Sequence, residues 1–190
     1  MAIEADVSDF ARAEEVVQQV VESWGRLDIL VCNAGITRDG VSWKMTEEQW
    51  DTVLDVNLKG YFNYCRAAAQ VFKAQESGKI VNVASINGIR GKFGQANYSA
   101  SKGGGIALSK ALARELGRFN VNVNVVAPGM VMTEMARSIP QKFLDAATGE
   151  TVLGRVADPE DIANVVTFLC SNLARHVTGE VIKVDGGQYI

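Results

Sequence analysis

Short runs of apolar, largely β-branched residues alternate along the chain with longer stretches whose apolar positions recur at helical spacing. The runs are Ile29–Cys32, Ile80–Ala84, Val121–Ala127 and Val181–Val184. Strands buried on both faces read as near-continuous apolar runs, and parallel strands need long crossovers between them. The alternation therefore predicts an α/β fold, a doubly wound parallel sheet covered by helices on both faces. The intervening helices have readable ends. Ser8 is placed to cap a helix through VVQQVVESW, and Gly25 to stop it. Thr46 with Gln49 fits a capping box ahead of WDTVLDVNL. Asp158-Pro159-Glu160-Asp161 places a cap, a first-turn proline and two acids at a helix start. There is no internal repeat, low-complexity tract or linker, and residues 1–190 read as a single domain.

Parallel α/β sheets do their chemistry at the carboxyl ends of the strands. Asn33-Ala34-Gly35 follows the first run, Ser85 the second, Pro128-Gly129 the third and Asp185-Gly186-Gly187 the fourth. Small and polar residues at all four ends suit a cleft where backbone approaches a ligand closely. Ordinary turns favour the same residues, so the four together carry weight that one would not.

Composition narrows the function. The chain has 190 residues, 47% of them apolar, and a formal net charge of −3. That suits a packed domain and gives no basic surface for nucleic acid. No stretch approaches the roughly eighteen consecutive apolar residues of a membrane span. The first residues, MAIEADVSDF, are acidic rather than basic and do not read as a signal peptide. Cys32, Cys65 and Cys170 are far apart and odd in number, which fits reduced thiols in a cytoplasmic protein and neither a disulfide framework nor a metal site. The single histidine, His176, is not accompanied by a G-x-S-x-G elbow, so a serine hydrolase is not indicated.

Tyr98 and Lys102 are four residues apart in a segment that continues helically as GGGIALSKALAREL. That spacing puts both on one helix face. A free phenol, with a pKa of about 10, is a poor proton donor near neutrality. A nearby ammonium is expected to lower it, so that the phenol can protonate a carbonyl oxygen. Ser85 closes the preceding strand and is placed to hold the same oxygen. Asn57, inside the helical DVNLKG, reads on its own as a satisfied core amide.

In order and spacing, Asn57, Ser85, Tyr98 and Lys102 resemble the catalytic tetrad of the short-chain dehydrogenase/reductase family. Cys32-Asn33-Ala34-Gly35 is similar to the family's N-N-A-G motif. Pro128-Gly129, with Val131 and Thr133, resembles the segment that holds the nicotinamide carboxamide and a neighbouring phosphate, and Asp6-Val7 the pair that contacts adenine. The resemblance covers essentially the whole chain and implies a Rossmann-like fold. It implies that Tyr98 is the general acid, that Lys102 lowers the phenol pKa and bonds the nicotinamide ribose, that Ser85 positions the carbonyl, and that Asn57 keeps a water in a proton relay. NAGITRDG, KMTEEQWDTVLDVNL and GKFGQANYSASK are most similar to 3-oxoacyl-thioester reductases. Carrier-protein reductases carry basic residues where this chain has Gln75-Glu76-Ser77-Gly78-Lys79, although Arg118 lies near a second expected basic position. The implied substrate is a small carbonyl compound or acyl thioester and the implied cofactor is NADP, with NAD not excluded.

The family's opening strand and T-G-x-x-x-G-x-G phosphate loop are not found in these residues. Gly103-Gly104-Gly105 lies inside the predicted helix and cannot replace the loop. Each helical glycine costs about 1 kcal/mol relative to alanine, so close packing there is expected. Two functions stay open: an oxidoreductase, and a cofactor-free relative acting as a binding or oligomerisation module. The small residues of the Tyr98–Leu116 helix and the apolar YFNYCRAAAQVF suggest a homodimer or homotetramer. By resemblance the chain begins at the family's third strand, N-terminally truncated by two strands. Ala2–Asp6 is then expected to move beside Ile29–Cys32 or to pair with another chain.

Overall fold

The computed structural model describes residues 1–137 and 140–190. Strands β1 (Ile29–Cys32), β2 (Gly78–Val83), β3 (Val121–Pro128) and β4 (Val181–Val184) form one parallel sheet in the order β1-β2-β3-β4. All four expected runs are strands, with β2 starting at Gly78 rather than Ile80. The helices are α1 (Phe10–Trp24), α2 (Glu47–Leu54), α3 (Gly60–Gln75), α4 (Asn87–Arg90), α5 (Ala96–Leu116), α6 (Glu134–Arg137), α7 (Gln141–Glu150) and α8 (Pro159–Cys170).

Adjacent strand residues point to opposite faces, and both faces of this sheet are covered. Ile80 joins Tyr61, Phe72, Leu116 and Val123 in the apolar layer beneath α3 and α5. Its neighbour Val81 joins Val126 and Leu169 in the layer beneath α8. This is the doubly wound arrangement expected from the hydrophobic pattern. No helix among the described residues is long and apolar enough to cross a membrane.

Local signals set the helix ends. Gly25 ends α1 in the left-handed conformation at φ 78°, and its N–H donates to the Val21 carbonyl. Thr46 and Gln49 form the expected capping box of α2. At α8, the Asp158 N–H donates to the Asp161 carboxylate at 2.8 Å and Pro159 opens the first turn. The cap of α1 differs from expectation. Asp9 accepts the Arg12 N–H at 3.0 Å, while the Ser8 hydroxyl donates to Asp6 at 2.8 Å. Either side chain satisfies the chemistry of a cap, and the adjoining Asp6 carboxylate draws Ser8 away.

The expected insertion of the N-terminal segment beside β1 is corrected. Ala2–Asp6 forms no strand and does not enter the slot beside β1, which is an edge of the sheet. The segment is tied to the start of α1 instead. The Arg12 guanidinium donates to the Glu4 carbonyl at 3.0 Å, and Asp6 accepts the Ser8 N–H at 2.8 Å. Ile29 and Val31, on β1, are 44% and 40% exposed.

Candidate active site

Parallel pairing brings the carboxyl ends of β1, β2 and β3 to one edge of the sheet. Ser85 emerges there, buried, and its hydroxyl oxygen accepts the Asn87 N–H at 3.1 Å. The short α4 then lies directly against α5. A Cβ added at Gly103 would stand 2.9 Å from the Gly88 carbonyl oxygen, and one at Gly88 would stand 2.7 Å from the Gly103 nitrogen. Cβ atoms at Gly104 and Gly105 would meet Leu58 and the Tyr61 ring, each at 2.9 Å. The glycine cluster thus serves the close approach expected of it. It lets α4 and the segment Leu58–Tyr61 press onto the turn that carries Lys102.

Lys102 is only 3% exposed. Its ammonium donates to the Tyr61 hydroxyl at 2.6 Å and to the Val83 carbonyl at 2.8 Å. Burial brings its pKa down from the usual lysine range to about 8. Tyr98 is half-buried, and the Lys102 ammonium lies 5.8 Å from its ring centroid. Burial raises the Tyr98 phenol above its ordinary pKa, a hydrogen bond from Ser85 acts to lower it, and the Asp39 carboxylate acts to raise it. The expected depression by Lys102 is therefore not what this arrangement gives. The ammonium is drawn towards Tyr61 and Val83, and desolvation of the phenol dominates.

Asn57 is fully buried at the middle of a π-helical turn, Asp55–Lys59, between α2 and α3. Its carbonyl oxygen accepts the Ile36 N–H at 2.8 Å, and its amide donates to the Ile36 carbonyl and the Ser101 hydroxyl at 2.9 and 3.1 Å. This satisfied amide clamps the loop after β1 to α5. Such π-turns within helices concentrate at functional sites. The four tetrad residues are thus gathered around one strand end.

A family profile described as enoyl-(acyl carrier protein) reductase matches residues 1–188. The 3-oxoacyl-(acyl-carrier-protein) reductase FabG of Thermotoga maritima is 46% identical over 185 residues, covering 97% of this chain and 75% of the relative. FabG of Staphylococcus aureus strain Mu50 is 42% identical over 189 residues, covering 100% of this chain and 77% of the relative. The acetoacetyl-CoA reductase of an Acinetobacter species is 43% identical over 185 residues, 97% of this chain and 75% of the relative. The chain belongs to the short-chain dehydrogenase/reductase family. It is an oxidoreductase of the FabG type.

The remaining residues matched to short-chain dehydrogenase/reductase motifs divide into two groups. Asn33, Ala34 and Gly35 are exposed at the end of β1. A Cβ at Gly35 would stand 3.3 Å from the Lys102 Nζ and 3.2 Å from the Asn57 Oδ1, so the backbone passes close to the tetrad. Pro128 ends β3 beside β4, and the N–H of the following Gly129 donates to the Val184 carbonyl at 3.1 Å. Val131 bridges to Ala157, and the Thr133 hydroxyl oxygen accepts the Ala136 N–H at 3.3 Å. Asp6 and Val7 lie in the segment before α1. The Val7 carbonyl accepts the Asn63 amide at 2.9 Å, and a Cβ at Gly60 would meet the Val7 side chain at 2.9 Å.

Two groups that the structure places beside these residues were not singled out in the sequence. Tyr61 lay in a stretch read only as an apolar face. Its place one turn after Asn57, and the need of a buried phenol for a partner, were the available signals. The second is a polar chain in which Gln95 donates to Asp39 at 3.0 Å and Asn87 donates to Gln95 at 3.1 Å. No spacing along the sequence marks it, because the three residues meet only after α4 folds back.

Proposed function

We propose that this protein interconverts a 3-oxoacyl thioester and its 3-hydroxy counterpart with NADP(H), through Asn57, Ser85, Tyr98 and Lys102. The observation that carries this reading is the grouping of Ser85, a half-buried Tyr98 and the desolvated ammonium of Lys102 at the end of β2. A nicotinamide cofactor supplies the hydride when bound. In reduction, the Tyr98 hydroxyl donates its proton to the carbonyl oxygen, and the Ser85 hydroxyl donates a hydrogen bond that orients the same oxygen. Burial keeps the proton on Tyr98 until an acceptor arrives. The Lys102 ammonium stands 5.8 Å from the centroid of the ring that carries the charge left behind. Asn57 holds α5 in place against the loop after β1.

The residues fit the nicotinamide–ribose end of a dinucleotide. Lys102 has three N–H bonds, two of them committed among the described residues, and Asn33–Gly35, Pro128, Gly129, Val131 and Thr133 flank the same edge. They do not supply a pyrophosphate cradle at α1. Its N-terminus is already capped by the Asp9 carboxylate, with Asp6 beside it, and further negative charge is unfavourable there. Asp6 and Val7 are the candidate adenine contacts.

The relatives' names include both carrier-protein and CoA reductases. Gln75-Glu76 stands where a carrier-protein site needs positive charge, so acetoacetyl-CoA is the substrate to test first. A cytoplasmic homodimer or homotetramer is the assembly the reading implies. Tyr98→Phe should lower turnover by about a hundred- to ten-thousand-fold, because it removes the general acid. Loss of only a few-fold in a steady-state assay contradicts the assignment. Fluorescence titration of the 190-residue polypeptide with NADPH should show weak, non-stoichiometric binding. Tight binding contradicts the inference drawn from α1, and binding of NADH alone overturns the choice of cofactor.

A further inference from the structure

Tyr61 is the one phenol of α3 that reaches the active-site floor among the described residues. Its ring packs where a Cβ on Gly105 would stand, and the side chain is 2% exposed. Its hydroxyl donates to the Val83 carbonyl. A phenol has one hydrogen to give, so towards Lys102 the Tyr61 oxygen acts only as an acceptor. The Lys102 Nζ lies 2.6 Å from that oxygen and 2.8 Å from the same Val83 carbonyl. Lysine, hydroxyl and carbonyl thus close a three-membered ring of hydrogen bonds under the tetrad, with donor and acceptor roles fixed.

We propose that Tyr61 is a positioning residue that seats the Lys102 ammonium and fixes its depth beneath Tyr98. Deep burial favours discharge of a lysine, and an acceptor committed to the ammonium opposes it. The titratable groups that face Lys102 are Cys32 on β1, Tyr98 one turn earlier on α5, and Tyr61 on α3. The Cys32 thiol is held well above its usual range by its contact with Cys65 and by burial, so it remains neutral. Tyr61 is raised by burial and likewise remains a neutral phenol. The seat is therefore made of neutral dipoles, and a single hydroxyl is a large part of it. Phenylalanine would fill the same space against Gly105 but leave Lys102 with only Val83.

The seat can be tested apart from catalysis, whereas its part in turnover rests on the reductase reading. The probe is the pH titration of lysine 13Cε resonances in the full chain, with the Lys102 signal assigned through Lys102→Arg. In Tyr61→Phe the Lys102 midpoint should fall by about one pH unit, as expected for the loss of one hydrogen bond to a charged group. Equal midpoints, or a higher one in the variant, overturn the proposal. Should the variant not fold, the wild type decides. The Tyr61 13Cζ shift should change across the Lys102 midpoint, and a flat response overturns the proposal equally. Where the wild type reduces acetoacetyl-CoA, the alkaline limb of kcat should move to lower pH by the same amount in Tyr61→Phe, with KM little changed. A wild type inactive towards 3-oxoacyl thioesters contradicts the reductase reading, while the two NMR titrations still decide the role of Tyr61.

Discussion

Strands β1 and β3 lie in one sheet, yet composition ranks them the wrong way round for burial. β1 is ILVC, wholly apolar, and its Ile29 and Val31 are 44% and 40% exposed. β3 is VNVNVVAP, with two asparagines, and every residue is buried. Neighbours explain the inversion. β3 has β2 and β4 on its two sides and helices over both faces, whereas β1 is an edge. The asparagines are tolerated because each is bonded. Asn122 donates to the Arg175 and Val177 carbonyls at 3.2 and 3.0 Å. Asn124 donates to the Val177 carbonyl at 2.8 Å and accepts the Glu180 N–H at 3.1 Å. A polar residue can lie deep if its partners are fixed, and an apolar one stays wet where nothing covers it.

The largest expected effect comes from the covered half, at a polar group whose compensation is incomplete. Lys102 is held at a pKa of about 8 against 10.5 for the free side chain, so its charge opposes folding. In linkage terms that penalty is full below pH 8, where both states are protonated, and disappears as pH rises towards the unfolded value. Lys102→Met should therefore be more stable than the wild type by about 3 kcal/mol at neutral pH, an advantage that shrinks between roughly pH 8 and 10.5. Urea melts at several pH values measure it, and a destabilised variant at pH 7 means that the ammonium is fully compensated. The next effect is that of a satisfied amide. Asn124→Leu should cost about 1–3 kcal/mol, because the Val177 carbonyl and Glu180 N–H lose their partner. A neutral result would show that composition, after all, governs β3. The smallest effect belongs to the edge. Val31→Thr should alter stability by less than about 0.5 kcal/mol. A loss comparable to that of Asn124→Leu in the same melts would show that β1 is covered in solution.

The sheet was legible in the sequence, and the residues proposed as the tetrad stood out there for a different reason. Strands announced themselves through β-branched runs, and the tetrad through fixed intervals between Asn57, Ser85, Tyr98 and Lys102. Intervals survive folding because they are properties of the chain itself. The direction of the Tyr98 shift was not legible. It depends on how far the Lys102 ammonium sits from the phenol and on how much water is excluded, both of which are tertiary quantities. Tyr61 was hidden because one hydroxyl among apolar helix residues leaves no periodic mark. The insertion of Ala2–Asp6 beside β1 was misjudged because the resemblance carries over a strand position and says nothing of local capture by Ser8 and Arg12.

The contact between α4 and α5 has a genetic consequence. Any single-base change that alters a glycine codon gives alanine, serine, valine, aspartate, glutamate, cysteine, arginine, tryptophan or a stop. Every one of those amino acids brings a Cβ, and at Gly88 and Gly103 it would land 2.7 to 2.9 Å from opposing backbone atoms. No one-step mutation at either codon is mild, and backbone cannot yield as a flexible side chain does. A lineage could escape only by changing both helices together, so these two codons should be among the slowest to drift.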